Sequence, residues 1–455
     1  MTINIRDHSL AAMNSTSTAV REVRAAFAGA VHLPGETGYD ELRGTPFAPI
    51  DPRPALVAEA TGADDVRAAV LAARDAGMGL TVQATGHGTH VPCDGGLLLR
   101  TSRMAGVLVD PHRRLARVGP GAVWGQVLAA AAPFGLAGLS GSHAGVGVTG
   151  YTLGGGLGWL SRAHGFAADS LLRARVVTAD GRIVTASPGS HPDLYWALRG
   201  GGGNFGVVTA MEFRLHPVGQ VFAGTACFPI ERAAETLTRY RDWIDGAPDR
   251  LSTALLLTPM PDAPEAHPSV RGRRVLQLKA MYAGSADQAR RLLRPLTRAA
   301  GPALTGDFRV LPYAEAAMGG TAPGQVELLG ELPDAAIAAI VRAAEPSHGP
   351  AVEIRHWDGA MGRPGTGAGP AGHRSTRLSV IADTRSPALA DALRPHSGGR
   401  AFLNFLHDPT RTADAYSGAD HHRLATVKRH YDPDNTFGLT HNIAPAPPAA
   451  VRTAG

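Results

Sequence analysis

The chain has 455 residues, of which 44% are hydrophobic and 18% charged, enough for two or more lobes with sizeable cores and too little charge for a largely disordered protein. The net charge is +5, carried by arginine apart from Lys279 and Lys428, with no basic block interleaved with aromatics, which argues against a nucleic-acid-binding protein. Cys93 and Cys227 are the cysteines, too few for a disulfide framework or a metal site of their own, and no apolar run approaches a membrane span, so a soluble, cytoplasmic protein is expected.

In chain order, "STAVREVRAAFAG" predicts a short helix capped by Ser17 or Thr18, and a proline-rich connector, "RGTPFAPIDPRP", follows. "ALVAEA" and "GLTVQAT" read as strands on either side of the helix "GADDVRAAVLAARDAG". Its first turn holds Asp64 and Asp65, its inner stripe is Val66, Val70, Leu71 and Ala73, and Gly77 stops it. Strands follow in "GLLLRTS" and "GVLVDPHRRLARVGPGA", then a helix in "VWGQVLAAAAPFG" and a glycine-rich passage from Gly135 to Gly165. "LLRARVVTADGRIVTA" reads as a hairpin turning at Ala179, Asp180 and Gly181, and "DLYWALRGGGGNFGVVTAMEFRLHPV" as a short helix, a glycine turn and a strand. From about 219 to 400, helices such as "SADQARRLLRPLTRAAG" alternate with strands such as "RVLQLKAMYA" and "STRLSVIAD". "GRPGTGAGPAGH" is expected to be a mobile loop, and the C-terminus to be a helix followed by a proline turn.

Two passages match the dinucleotide pattern G-x-G-x-x-G. One is "GVGVTG", Gly145 to Gly150, with an acid downstream at Asp169; the other is "GGGNFG", Gly201 to Gly206. A Rossmann site needs a strand before the glycines and a helix after them to hold the pyrophosphate. Neither context fits: "YTLGGGLG" would break a first helical turn, and "VVTAMEFRL" is a strand pattern. The glycine clusters at 85–88, 145–158 and 200–206 can be ordinary turns, or can aim backbone amides together as anion nests around a long, pyrophosphate-bearing cofactor.

Four ordered segments decide between these readings. "TGHGTHVPCDGGLLLRTSRM", "GVGVTGYTLGGGLGWLSRAHGFAADSL", "DLYWALRGGGGNFGVVTAMEF" and "YSGADHHRLATVKRHYDPDNTFGLTHNIAP" together resemble the berberine bridge enzyme-like flavoprotein oxidases of the vanillyl alcohol oxidase superfamily, over about residues 20–218 and 400–455. The resemblance implies an α+β fold with two lobes. A p-cresol methylhydroxylase-type FAD-binding domain is built from residues 1–218 and the returning segment 401–455. A substrate domain of antiparallel sheet backed by helices is inserted at 219–400.

The resemblance further implies that the His87 ring bonds to the 8α carbon of FAD, since a neutral imidazole is a nucleophile and the bond would raise the reduction potential. Its neighbours Thr85 and Gly88 replace the glycine and serine of the family pattern. The position of a second, cysteinyl tether holds His143, so a single covalent link is expected. By the same resemblance Thr85, Gly86, Gly88 and Thr89 offer amides to the pyrophosphate. Thr149, Gly150, Gly154 and Gly155 pass the ring and ribityl chain, Gly203, Val207 and Val208 line the flavin–adenine region, and Asn442 lies near the flavin.

The catalytic side departs from the family: Phe402 stands where many relatives have a tyrosine, and a phenyl ring takes no proton. In "VEIRHWDGA", strand alternation puts Glu353, Arg355 and Trp357 on one face and Ile354, His356 and Asp358 on the other, either lining a pocket or on a solvated edge. Glu353 or His356 is the candidate base and Arg355 the candidate anchor for an anionic or carbonyl group; His373, Arg374 and Tyr313 are further candidates. The expected function is an FAD-dependent oxidase of a small, natural-product-like substrate with oxygen as acceptor, working as a monomer or homodimer. An oxygenase or cyclase, and a flavin-binding protein that has lost catalysis, stand as alternatives.

Overall fold

The computed structural model describes residues 17–448 except 19, 47–48, 317 and 346–347; the N-terminal stretch and part of the first predicted helix lie outside them. Strands β1 (Ala30–His32), β2 (Leu56–Glu59), β3 (Leu80–Gln83) and β4 (Leu97–Arg100) form a sheet in the order β1-β2-β4-β3. β4 runs parallel to both of its neighbours, and its run Leu97, Leu98, Leu99 is buried on both faces, as an unbroken apolar strand in a covered parallel sheet should be. The helix Ala63–Asp75 buries Val66, Ala69, Val70 and Ala73 against it. Asp65 is also buried: its carboxylate accepts from Ala28 N and Thr61 N, both at 2.7 Å, tying the preceding chain to the helix's first turn.

A second, antiparallel sheet holds β5 (Val107–Asp110), β6 (Leu115–Val118), β7 (Leu171–Val177), β8 (Ile183–Ala186) and β9 (Val207–Arg214), in the order β5-β6-β9-β7-β8. The third sheet holds β10 (Gln220–Pro229), β11 (Leu251–Pro259), β12 (Arg274–Tyr282), β13 (Thr305–Pro312), β14 (Gln325–Leu329), β15 (Val352–His356) and β16 (Leu378–Ala382). Its order is β13-β10-β12-β11-β15-β16-β14 and every pairing is antiparallel.

The two faces of this seven-stranded sheet do different things. Leu255, Leu276, Leu278, Ile354 and Val380 pack under the helices Ala233–Trp243, Ala286–Ala300 and Asp334–Ala344. Val221, Ala223, Ala254 and Met281, on the opposite face, join the core of the second sheet. The seam between the two lobes is therefore a packed surface, and polar side chains on that face are taken out of water.

The C-terminal helix Gly418–Tyr431 returns to the first lobe. Its Lys428, wholly buried, donates to Asn204 O at 2.9 Å and to Asp432 at 2.6 Å, a pairing without which a buried ammonium would be untenable. Asn204 donates in turn to Gly201 O and His441 O and accepts from Ile443 N, tying the tail to the second glycine turn. The loop 362–373 is tied to its surroundings at several points. Arg199 donates to Gly367 O at 2.7 Å, a Cβ on Gly369 would meet Arg199 carbonyl oxygen at 2.4 Å, and one on Gly372 would meet Ala415 oxygen at 2.0 Å. Gly369 and Gly372 serve close packing, while Gly365 and Gly367 have open space where a Cβ would stand.

Candidate active site at the seam

The turn after β3 carries the first candidates. Gly86 has φ +71°, a conformation that favours glycine, and its carbonyl accepts from Thr45 Oγ1 at 3.0 Å. Thr89 N–H closes the turn on Gly86 O at 3.2 Å and His87 N–H rests on Thr85 Oγ1 at 3.3 Å. Among the described residues no acceptor faces the N–H groups of Thr85, Gly86 and Gly88. Those three suit an anion; the Thr89 amide is spent inside the turn, contrary to the sequence expectation.

His87 stacks on His143, with ring centroids 6.0 Å apart. Burial, and then the charge of His143, hold the His87 imidazole below its ordinary range, so the ring is neutral near pH 7 and keeps a nucleophilic lone pair. His143 itself accepts from Gly145 N–H through Nδ1 at 3.0 Å.

The second glycine passage splits into two kinds of position. Gly150, in the short helix Val148–Leu153, has no atom within 4 Å of where a Cβ would stand, and the same is true of Gly88 and Gly203. Thr149 Oγ1 and Asn442 Oδ1 are buried without a hydrogen-bond partner. Space at three glycines, free amides and orphaned polar atoms together fit a large polar cofactor such as FAD.

Gly154 and Gly155 are different. A Cβ on Gly154 would lie 2.5 Å from Asn404 Nδ2; Gly155, at φ +114°, would put one 3.0 Å from the Phe402 ring. These two glycines exist to let the C-terminal segment in. Asn404 holds that contact by accepting from Gly156 N at 2.8 Å and donating to Tyr151 O at 3.1 Å, a role its sequence context, "AFLNF", did not announce. Phe402 packs with Phe166, Trp357 and Phe405 in an aromatic cluster. The side chains of Val207 and Val208 are consumed by two different cores, so only their backbone is left for a ligand.

The sheet face supplies the rest. β15 is an internal strand between β11 and β16, and all five of its residues are buried, which removes the solvated-edge reading. Glu353 is wholly buried. Its Oε1 accepts from Arg355 Nε at 2.7 Å and pairs with Nη2 at 2.7 Å, while Oε2 accepts from Thr321 N and Oγ1 at 3.1 Å each. The Arg355 guanidinium lies over the Trp159 ring, 4.8 Å from its centroid. Lys279, on the same face, donates to Met318 O at 3.1 Å; burial lowers its ammonium pKa, against the pull of Glu353. Trp159 Nε1 and Tyr151 OH are buried without partners, and Tyr313 OH shares a 2.9 Å hydrogen bond with Ser140. A Cβ on Gly320 would meet both Arg355 Nη2 and Ser142 Oγ within 3.4 Å, so the Glu353–Arg355 pair reaches the loop that carries His143.

His356 does not join this group. It points to the other face, where Arg162 Nη1 donates to its Nε2 at 2.8 Å. Burial, then Arg162, depress it to about 2. With its lone pair occupied by a guanidinium it is no candidate base. Arg374 is spent in a bidentate pair with Asp169, at 2.7 and 3.0 Å, and His373 on Asp414 O at 2.6 Å. Asp169 also caps Phe166 N at 3.0 Å, which gives it a structural use unrelated to a ribose.

A lobe with amide-lined glycine turns, closed by a returning tail against an antiparallel sheet, defines the class: an FAD-binding oxidoreductase. The chain matches the model "FAD binding domain" over residues 54–187 and "Berberine and berberine like" over residues 401–444. It is 30% identical to (R)-6-hydroxynicotine oxidase of Paenarthrobacter nicotinovorans, covering 92% of this chain and 97% of that protein. The crystal structure of 6-hydroxy-D-nicotine oxidase from Arthrobacter nicotinovorans superposes with a TM-score of 0.79 at 28% identity, over 92% of this chain and 99% of that one. Physcomitrella patens BBE-like 1 shares the fold at a TM-score of 0.82 and 21% identity, over 94% and 99%. The chain belongs to the berberine bridge enzyme-like family of FAD-linked oxidoreductases.

Proposed function

We propose that the protein is an oxidase that removes a hydride from a small organic, natural-product-like substrate, with FAD covalently held through His87 and molecular oxygen as the final acceptor, giving hydrogen peroxide. FAD bound in the cradle supplies the two-electron acceptor. The remaining chemistry falls to the chain. The observation that carries the reading is the buried Glu353–Arg355 pair on the sheet face that meets the glycine loops. A buried charge pair costs desolvation and adds little stability, and such groups cluster at functional sites.

Arg355 anchors an anionic or carbonyl group of the substrate. Drawing its guanidinium toward that group frees Glu353 Oε1, which then takes the substrate proton; Thr321 keeps the other oxygen in place. Thr85, Gly86 and Gly88 amides hold the pyrophosphate, and Thr149, Gly150, Gly203 and Asn442 border the rest of the cofactor. The experiment is direct. Flavin colour should stay with the polypeptide after acid precipitation and leave it in a His87→Ala variant. An oxidised substrate should give peroxide in step with oxygen uptake. Colourless protein that takes up no FAD ends the proposal, and labelled oxygen in the product replaces the oxidase with an oxygenase.

A further inference from the structure

We propose that the free edge of the seven-stranded sheet joins a second copy of this chain, β13 pairing antiparallel with its own symmetry mate about Phe308. The inference is independent of the flavin reading. β13 is a terminal strand, hydrogen-bonded on one side to β10, and its residues Gly306, Asp307, Arg309 and Val310 are exposed. Among the described residues nothing pairs with its other side. An open edge of this length invites another strand.

Four features fit a copy of the same strand. The first is hydrogen-bond parity. The register puts Gln220 opposite Pro312, and the next pair outward is closed by Tyr313 N–H donating to Gly219 O at 3.0 Å. Odd-numbered residues of β13 therefore bond to β10, and the N–H and C=O groups of Gly306, Phe308 and Val310 point outward. A two-fold axis at Phe308 sets Phe308 against its mate and Gly306 against Val310 of the copy, so the outward groups of these three residues meet complementary ones.

The second is charge. On one face of the strand Asp307 and Arg309 form an ion pair, with side chains 67% and 63% exposed. The same axis sets Asp307 of each copy opposite Arg309 of the other, so the pairing is attractive on both sides of the axis. Moving the axis to residue 307 or 309 puts like charge against like and also spoils the parity.

The third is shape. Val310 is 52% exposed on this edge. Across the axis it faces Gly306 of the copy, which with Gly301, Pro302 and Phe308 lines a groove of about 780 Å³. The fourth is support behind the edge. Phe308 stacks on Phe222 with centroids 5.8 Å apart, so the strand presenting these groups is anchored to the helix-backed core.

The test is the solution mass of the full-length protein by light scattering after size exclusion, at high micromolar concentration. The expected particle has twice the mass of the chain. Asp307→Arg and Arg309→Asp, each tested alone, set like charges across the axis and should halve the mass. The two together restore complementarity and should restore the dimer. Both positions are exposed, so circular dichroism and melting should show each variant folded as the parent. A monomeric parent, a dimer that survives both single reversals, or single reversals that the double swap fails to rescue would each overturn the proposal.

Discussion

Arg162 of the first lobe reaches His356 on the helix-backed face of β15, with Arg162 Nη1 2.8 Å from His356 Nε2. The same guanidinium donates to Leu251 O at 2.8 Å, to Ala247 O at 3.1 Å and to Trp357 O. One arginine of the first lobe thus satisfies several carbonyls of the second. Replacing it with methionine leaves those acceptors buried and unpaired, at a cost of about 1–3 kcal/mol each before relaxation, so Arg162→Met should lower the melting temperature by several degrees. Because the contact lies on the far face of β15 from Glu353, loss of activity without loss of stability would contradict this assignment.

The same contact predicts an acid-sensitive fold. His356 is depressed to about 2 in the folded protein against 6.5 for an ordinary imidazole. The unfolded chain therefore binds a proton that the folded chain refuses. The stability this histidine contributes is present above pH 6.5 and is lost as the pH falls toward 2, by up to about 1.4 kcal/mol per pH unit. His356→Gln keeps an acceptor for Arg162 and cannot titrate. Denaturant unfolding at pH 6.5 and pH 5 should show the parent losing about 1.6 kcal/mol more than the variant. Equal slopes would mean that Arg162 does not hold a neutral imidazole.

Glu353 and Arg355 should separate in kinetics. Glu353→Gln preserves the contacts to Thr321 but removes the proton acceptor, so kcat should fall about 10²- to 10⁴-fold with flavin content unchanged. Arg355→Lys keeps the charge and loses the planar fork, and should act mainly on KM. The check is single-turnover reduction of the loaded enzyme without oxygen. A Glu353→Gln variant reduced at the parent's rate would leave the pair with a purely structural role.

His87 carries a pH prediction of the opposite kind, about attachment. Burial and His143 keep its ring below 6.5, hence neutral and nucleophilic at pH 7. Flavin-free protein incubated with FAD should acquire acid-stable flavin with constant yield from about pH 8 down to pH 6.5, and lose it only below that range. His143→Phe keeps a stacked ring and removes the neighbouring charge, so the fall should move to higher pH. A yield already falling at pH 7 in the parent would place the His87 lone pair outside the attachment.

The local pattern of the chain is legible in its sequence, and long-range partners are not. Alternation in "VEIRHWDGA" is enough to separate Glu353 and Arg355 from His356, because a strand's side-chain period is fixed by its pleat. It cannot say that β15 is internal, since its neighbours β11 and β16 are set by pairing across the sheet. Nor can it say what lies on the far face, where Arg162 arrives from nearly two hundred residues away. The glycines show the same limit. Their clustering points to a cofactor, but their causes differ: some leave space, and others admit Asn404, Phe402 or Arg199. The Asp169 spacing that suggests a ribose ligand instead reflects a turn cap and an ion pair with Arg374.

That difference among glycines is itself testable. Gly150 and Gly155 lie five residues apart in one glycine-rich passage. At Gly150 a Cβ meets nothing within 4 Å and φ is not positive, so alanine fits the chain and suits its helix better than glycine. At Gly155 φ is +114° and the Phe402 ring lies 3.0 Å from the added carbon. Gly150→Ala should therefore leave the melting temperature of the flavin-free protein unchanged or slightly raised, while cutting FAD uptake, because the methyl occupies space the cofactor needs. Gly155→Ala should destabilise the flavin-free fold itself by about 1–3 kcal/mol through backbone strain and crowding. Calorimetry on flavin-free protein, with absorbance at saturating FAD, reads both effects. Normal FAD uptake by Gly150→Ala would show that the cofactor does not run along this helix.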